Sequence, residues 1–334
     1  MALSLKPVPP AGREWERMDT FPDRVIFQTR EWLQFIASTQ GAEPVVAAVM
    51  DGREHVGWFT GATFRRFGLR ILGSPFPGWT TESMGFNLAD GVDRRAAAAA
   101  LIPFAFETLR CAHVELKDRR LDDAEALVEH GFASEPTQSF EIDLSGDEDA
   151  IFGRMSSACR RAVRRGAKVG VTVEEASGTG FADEYYAQLV EVFGRQELVP
   201  TYGVERVRAL IAALEPAGRL LLLRARAPDG VPIATGIFPG FNDTAYFWGG
   251  ASVRAHQIHR PNEAIFWYAI RYWRDRGMTT LDLGGGGEYK RKYGPTEVRI
   301  PSFRASRFRA LPALREAARF ATEQRQAIRG RLRR

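Results

Sequence analysis

The segment Leu281-Asp282-Leu283-Gly284-Gly285-Gly286-Gly287-Glu288-Tyr289-Lys290-Arg291-Lys292-Tyr293-Gly294 gathers the residue types that can do chemistry in this chain. It reads as a short buried strand, a four-glycine break and three consecutive cations held between two tyrosines. Glycines can turn backbone N–H groups toward a ligand with no Cβ in the way. A cationic triplet directly after such a loop suits an anion, above all a phosphate. The same pattern also fits a flexible glycine loop with solvated charges. A second basic cluster, Arg154, Arg160, Arg161, Arg164, Arg165 and Lys168, has no acid between its members. Clusters of this kind meet nucleic acid or acidic lipid, or form a solvated helix face.

Composition narrows the classes. At 334 residues the chain is long for one core and comfortable for two domains. The apolar share of 45% and charged share of 26% are those of a globular protein. No run approaches the eighteen or so apolar residues of a membrane span. The opening MALSLKPVPPAGREWER carries prolines and charges where a signal peptide would be apolar, so a cytoplasmic protein is expected. Cys111 and Cys159 form neither a disulfide framework nor a metal spacing, and the five histidines show no HExxH pattern, so no metal site is expected. From Pro301 onward ten Arg and two Glu give a local +8; of the overall +5, the first 300 residues therefore carry −3.

The elements that must position these residues read as one unit used twice. PVVAAVM, Asp51-Gly52 and HVGWFTGATF form a strand, a turn and a strand; RLLLLRARA, Asp229-Gly230 and VPIATGIFPGF repeat the plan 178 residues later. Asp-Gly between apolar strands is a strong hairpin signal. Each hairpin is followed by more strand, a helix (Asp93 to Arg110; Pro261 to Arg276) and a short strand (AHVELKD; TTLDLGG). Pro261 suits a helix first turn and Gly277 a stop. A leading helix near Arg30–Gln40 opens the first copy, and Leu121–Leu144, ending in SFEIDL, closes it. The expected fold class is α/β with mixed sheets in two tandem domains, 1–145 and 146–310, followed by a basic helical tail, 311–334. The second domain is expected to carry the active cleft. Trp32, Trp58, Trp267 and Trp273 read as core anchors.

Three patterns give this chain its resemblance to the FemABX family. They are the basic run Arg160-Arg161-Ala162-Val163-Arg164-Arg165 leading into Gly170-Val171-Thr172-Val173; Tyr246-Phe247-Trp248-Gly249-Gly250 before Pro261; and Leu281-Asp282-Leu283-Gly284-Gly285 before Tyr289-Lys290-Arg291-Lys292-Tyr293-Gly294, which is similar to the family's D-F-G-G and F-K-x-x-F-G. The resemblance covers about residues 25–305. It implies tandem acetyltransferase-like (GNAT-type) domains that use aminoacyl-tRNA to add amino acids to peptidoglycan precursors. The chain departs from the family in its shorter loop between the Gly pair and Lys290, and it has no long coiled-coil insertion.

The resemblance implies that Lys290 contacts the anionic phosphate end of the donor, and that Arg195, in Phe193-Gly194-Arg195-Gln196, meets the acceptor. A preorganised cation of this kind contributes about 2–4 kcal/mol. Arg291 and Lys292 are expected to assist, although alternation keeps all three cations from pointing inward. Gly284 and Gly285 belong to the substrate loop, and Tyr202, Tyr246 and Tyr289 are candidates to line the cleft, with core packing the default for Tyr246. Asp282 is a candidate base or amine-orienting group; capping of the glycine loop is the alternative. Arg160, Arg161, Arg164 and Arg165 are candidates to bind tRNA or another anion. No Ser-His-Asp or Cys-His order supports a covalent intermediate, so direct attack on the ester by the acceptor amine is the simpler mechanism.

The competing enzyme reading is a CoA-dependent N-acyltransferase acting on a cell-envelope or polysaccharide precursor. Against it, Arg254–Asn262, where the superfamily places a glycine-containing pyrophosphate turn, has no glycine. A third reading is a non-catalytic nucleic-acid or membrane adaptor. The expected partners are aminoacyl-tRNA and a small or lipid-linked amine acceptor. The tail, with Leu311, Leu314, Ala318, Ala321 and Ile328 opposite Arg315, Arg319, Arg325 and Arg329, suits an amphipathic helix that meets tRNA or an anionic membrane.

Overall fold

The structure, a computed structural model, describes residues 3–9, 14–121 and 125–308. These form two compact units, and the chain changes unit between Gln138 and Ser139 and again between Val298 and Arg299. Among the described residues each unit holds one eight-stranded mixed sheet. The first sheet contains β1 (Leu3–Val8), β2 (Glu43–Asp51), β3 (Glu54–Arg66), β4 (Leu69–Ser74), β5 (Gly85–Leu88), β6 (His113–Lys117), β7 (Ala133–Ser134) and β16 (Ser302–Ser306). The second contains β8 (Thr137–Asp143), β9 (Thr172–Ala176), β10 (Leu220–Arg226), β11 (Pro232–Phe241), β12 (Thr244–Tyr246), β13 (Gly249–Ser252), β14 (Thr280–Asp282) and β15 (Thr296–Ile300).

The strand orders correspond. The first sheet runs β1-β2-β3-β4-β6-β16-β7 with β5 also on β3; the second runs β9-β10-β11-β12-β14-β8-β15 with β13 also on β11. In each, one parallel pair sits among antiparallel neighbours: β4 with β6, and β12 with β14. The duplication expected from the paired Asp-Gly hairpins is present, and both hairpins form where expected, β2 with β3 and β10 with β11.

One segment lies elsewhere than the sequence reading put it. SFEIDL was assigned to the end of the first copy, with the seam at 145/146. Instead β8 pairs with β14 in the second sheet, Leu281 opposite Ile142 and Asp282 opposite Glu141. Its alternating Phe140, Ile142 and Leu144 enter the second unit's core, so burial places the boundary ahead of this strand. In return β16 pairs with β6, Phe303 opposite Leu116, and Phe303 is buried in the first unit's core. Each sheet thus takes, beside its parallel pair, a strand from the sequence of the other half.

The helices are α1 (Glu14–Asp19), α2 (Arg30–Gln40), α3 (Arg94–Pro103), α4 (Glu125–Val128), α5 (Glu148–Arg154), α6 (Ser157–Lys168), α7 (Phe181–Gly194), α8 (Val204–Leu214) and α9 (Pro261–Arg274). Local chemistry starts and stops them. Asp93 caps α3 by accepting from Arg95 N at 2.9 Å, Ser156 caps α6 by accepting from Cys159 N at 3.2 Å, and Pro261 opens α9. Past the end of α9, Gly277 adopts φ 82°. Ile265, Phe266, Ala269, Ile270 and Trp273 bury one face of α9, and burying each large apolar side chain contributes about 1.5–3 kcal/mol. In the first unit α3 does the same with Ala97, Ala98 and Leu101. Trp32, Trp58 and Trp273 are buried core residues, and half-buried Trp267 packs on Phe152. The basic tail assigned to 311–334 lies outside the described residues.

Candidate functional site

The site grows from the parallel pair of the second sheet. Strand β12 pairs with β11 as Gly240–Ala245 and Phe241–Thr244; β13 continues along β11 as Ile237–Gly249 and Gly236–Gly250. The register slips by one residue between them, so Phe247-Trp248 is a β-bulge. Phe247 N donates to Asp282 O at 2.8 Å, and Trp248 N to Ile237 O at 3.0 Å. Pairing of β12 with β14 ends at Tyr246 opposite Asp282, and the next amide, Leu283 N, donates to Phe140 O on β8. The bulge and the end of the ladder fall together, where the two strands part.

The glycine loop begins at this point. Asp282, 1% exposed, accepts from Ser139 Oγ at 2.6 Å and from Gly284 N at 2.7 Å through one oxygen. Gly284, Gly286 and Gly287 take φ of 71°, 71° and 79°, which a side chain would strain. Lys290 is buried, and its Nζ donates to Gly284 O at 3.2 Å and Gly285 O at 2.9 Å. The loop amide of Gly284 therefore faces Asp282, and the carbonyls of Gly284 and Gly285 face Lys290. This arrangement differs from N–H groups turned outward to a ligand: Asp282 and Lys290 clamp the loop from its two ends. Asp282 has the geometry of the loop cap rather than of a base open to an amine.

The cationic triplet splits three ways, as alternation required. Lys290 turns into the loop. Arg291 pairs with Glu288 at 2.7 Å and Glu297 at 2.8 Å and is half-exposed. Lys292 donates to Glu263 Oε1 at 2.9 Å, in the first turn of α9. Ser156 N, at the cap of α6, donates to Lys292 O at 2.9 Å and ties the cationic turn to that helix.

Lys292 opens onto a groove of about 710 Å³ between α6 and the start of α9. Its charged lining is Arg161, Arg164, Arg165, Arg260 and Lys292 against the single acid Glu263. The small residues of α6 make this possible. Cys159, Ala162 and Gly166 are buried, so the two helices approach closely, while Arg161, Arg164 and Arg165 stay exposed along the groove. A Cβ on Gly166 would lie 3.3 Å from His259 O, tighter than side chains normally accept. At the start of α9, Arg260 sits at φ 61° and no side chain caps the helix, which leaves the positive end of its dipole at the groove. Burial pushes the Cys159 thiol up to about 11, which favours the protonated thiol at neutral pH.

The remaining assigned residues separate from both features. Arg160 turns back onto the carbonyls of Gly153 and Met155 and does not line the groove. Arg195 bonds Glu191 and, at 3.3 Å, Ser252 O; Glu191 also accepts from Arg254 N, so Arg195 helps fasten α7 to the turn before α9. Tyr202 bonds the hydroxyl of buried Tyr185 at 2.8 Å, and burial pushes both phenols upward, keeping them neutral. This pair abuts the bulge: a Cβ on Gly249 would lie 2.4 Å from the Tyr185 hydroxyl. Tyr246 is buried beside Asp282 in the ladder, and Tyr289 is exposed with its ring over Gly287. Sequence reasoning missed Arg260, Glu263, Ser139 and Tyr185. The cation just before Pro261 and the acid in the helix first turn were signals for the first two; the others depend on contacts from distant segments.

Residues 153–292 match the acetyltransferase (GNAT) domain family model. No curated protein matches the sequence. Among solved structures, FemX aligns with a TM-score of 0.74 at 14% identity, covering 92% of this chain and 99% of FemX. This chain has the FemX-type tandem acetyltransferase fold. L-PGS from Bacillus licheniformis aligns with a TM-score of 0.52 at 13% identity, covering 86% of this chain and 95% of that one. A tandem GNAT protein from the clavulanic acid biosynthesis pathway aligns with a TM-score of 0.54 at 14% identity, covering 91% and 98%. The family match and these alignments agree on the fold, a mixed α/β acetyltransferase-type unit used twice.

Proposed function

We propose that this protein is an aminoacyltransferase that takes an amino acid from aminoacyl-tRNA and joins it to the amine of a peptidoglycan precursor or a similar peptide or metabolite. The observation that carries this reading is the groove of five cations against one acid at the start of α9. Successive phosphates of an RNA end suit such a surface, and Lys292, held by Glu263, is placed to exchange that partner for a phosphate. Lys290 adds positive charge at the glycine loop where β12 and β14 part, near the place where an ester carbonyl would develop negative charge. The neutral acceptor amine attacks the ester carbonyl carbon; the C–N bond forms as the C–O bond breaks, and the ribose oxygen leaves with that electron pair and takes up the proton the amine gives up. No covalent enzyme intermediate is required, consistent with the protonated Cys159.

A CoA thioester is the second reading, favoured by the match to the acetyltransferase domain family. The packing of Gly166 onto the carbonyls of His259 and Arg260 weighs against it, because that turn is where the superfamily lays the pyrophosphate. The deciding experiment gives purified protein charged tRNA or acetyl-CoA, each with candidate amines. Discharge of the tRNA, weakened by Arg161→Gln with Arg164→Gln, is expected. Consumption of acetyl-CoA with the charged tRNA untouched would overturn the reading.

A further inference from the structure

One end of the first unit's sheet carries aromatic side chains where solvent should be. Strands β3 and β4 are joined by only Phe67 and Gly68, with Arg66 opposite Leu69. Both linking residues have positive φ, 51° and 79°. Two-residue turns of this kind favour Asn-Gly or Gly-Gly, because a bulky residue at positive φ is strained. Phe67 is nevertheless held there with 87% of its surface exposed, the guanidinium of Arg66 5.4 Å from its ring centre. Nothing in the turn requires a phenylalanine; asparagine would fold it more easily.

The same end of the sheet repeats the pattern. Strand β6 starts beside β4, Ile71 opposite His113, and β16 finishes beside β6, His113 opposite Ser306. Immediately past β16, Phe308 is 52% exposed with the Arg307 guanidinium 5.9 Å from its ring centre. Just ahead of β6 lies exposed Arg110, and Arg65 is exposed on the hairpin. Two exposed phenylalanines, each beside an arginine, thus share one sheet end with two further arginines. Glu107 and Glu129 are exposed acids ahead of β6 and β7, while Glu43 is occupied by Arg70 at 2.9 Å. The sequence continues beyond Phe308 with eight more arginines and two glutamates.

We propose that this end of the first unit is a docking surface for an anionic lipid bilayer, with Phe67 and Phe308 entering the headgroup–acyl boundary and the arginines pairing with lipid phosphates. Apolar rings flanked by cations have the chemistry of interfacial binding, in which buried apolar area and attraction to anionic lipid add. Among the described residues no helix is long and apolar enough to cross a membrane, so the contact is peripheral. The surface is separate from the α6–α9 groove, and the proposal stands whichever acyl donor that groove takes. RNA is the other polyanion that exposed rings and arginines can meet, and the test separates the two.

The test uses the full chain, with sedimentation against phosphatidylcholine vesicles made with and without phosphatidylglycerol, and with a tRNA gel shift in parallel. Binding should require phosphatidylglycerol. Phe67→Asn should lower vesicle partitioning about tenfold, from the loss of part of a phenylalanine's transfer free energy. It should also raise the melting temperature, since asparagine relieves the turn. Arg66→Gln should lower partitioning about fivefold at low salt and less at high salt. Opposite movement of stability and partitioning in one variant cannot come from damage to the fold. The proposal fails if Phe67→Asn binds phosphatidylglycerol vesicles as the parent does, if binding ignores the anionic lipid, or if the variant loses tRNA binding alone.

Discussion

The two units place different chemistry at the same point of the same fold. In the first, the strand following β4 returns to the sheet only after an excursion through residues 75–84, and the first residue of α3, Arg94, turns its side chain onto two buried carboxylates. Arg94 donates to Asp23 at 2.6 Å and to Asp118 at 2.8 Å, and Asn87 and Gln28 complete a buried polar knot. In the second, the excursion shrinks to a one-residue bulge, β14 ends in a glycine loop, and the start of α9 faces an open cationic groove. Duplicated folds can thus keep their topology while one copy buries a cation between two carboxylates and the other gathers five cations around a single acid in an open groove. What distinguishes a structural copy from a candidate active one is where the charges of the first helical turn find their partners.

Arg94→Ala should break the first half of this comparison most strongly. It leaves Asp23 and Asp118 buried without their common cation, and a cost of about 3–5 kcal/mol is expected. Denaturant unfolding measures it; unchanged stability would mean the knot is not holding the unit. Lys290→Ala should lose about 1–3 kcal/mol by orphaning the carbonyls of Gly284 and Gly285. It should also lower turnover on charged tRNA about 100-fold. Stability loss with normal turnover would make Lys290 a loop clamp and nothing more.

Lys292→Ala sharpens the second half. The residue is partly exposed but its partner Glu263 is buried, so a small loss of stability should accompany the change, while affinity for charged tRNA falls about tenfold and the slope of log affinity against log salt flattens by about one. A drop in affinity with an unchanged salt slope would remove phosphate binding from its role. The smallest effect concerns the outer strands. Glu174 on β9, hydrogen-bonded to Arg226 and Arg224, is held down at about 2, and β1 has no such clip. A depressed carboxylate contributes stability that is present above its ordinary range near 4.5 and lost as pH falls toward about 2. Because Glu174 is well exposed, the contribution is weak; Glu174→Gln should slightly flatten the acid limb of a melting-temperature profile.

Both hairpins, the main helices and the repeat were legible because they rest on local signals: Asp-Gly turns, an apolar stripe on α9, Pro261 and Gly277. The destination of SFEIDL was not, because its alternating apolar pattern suits either sheet and only the core it enters decides. In the site, the sequence marked the cations but not their directions. Lys290, Arg291 and Lys292 are adjacent in the chain and end on two carbonyls, two surface glutamates and a groove, respectively. The run from Arg160 to Arg165 divides similarly, one arginine bonding the preceding turn and three lining the groove.

The return of β16 to the first sheet has a consequence for the order in which the chain can mature on a ribosome. The β6 edge waits through all of residues 118–301 before its neighbour is synthesised. The first half therefore emerges with an open strand edge, and Val114 and Leu116 stay without Phe303 against them until nearly the whole second half has been made. Its completion is tied to a late event, the slow closure of a very long loop. Chains halted before residue 302 should present that bare edge to one another, so aggregation of nascent fragments, rather than release of a stable first domain, is the expected fate of interrupted synthesis.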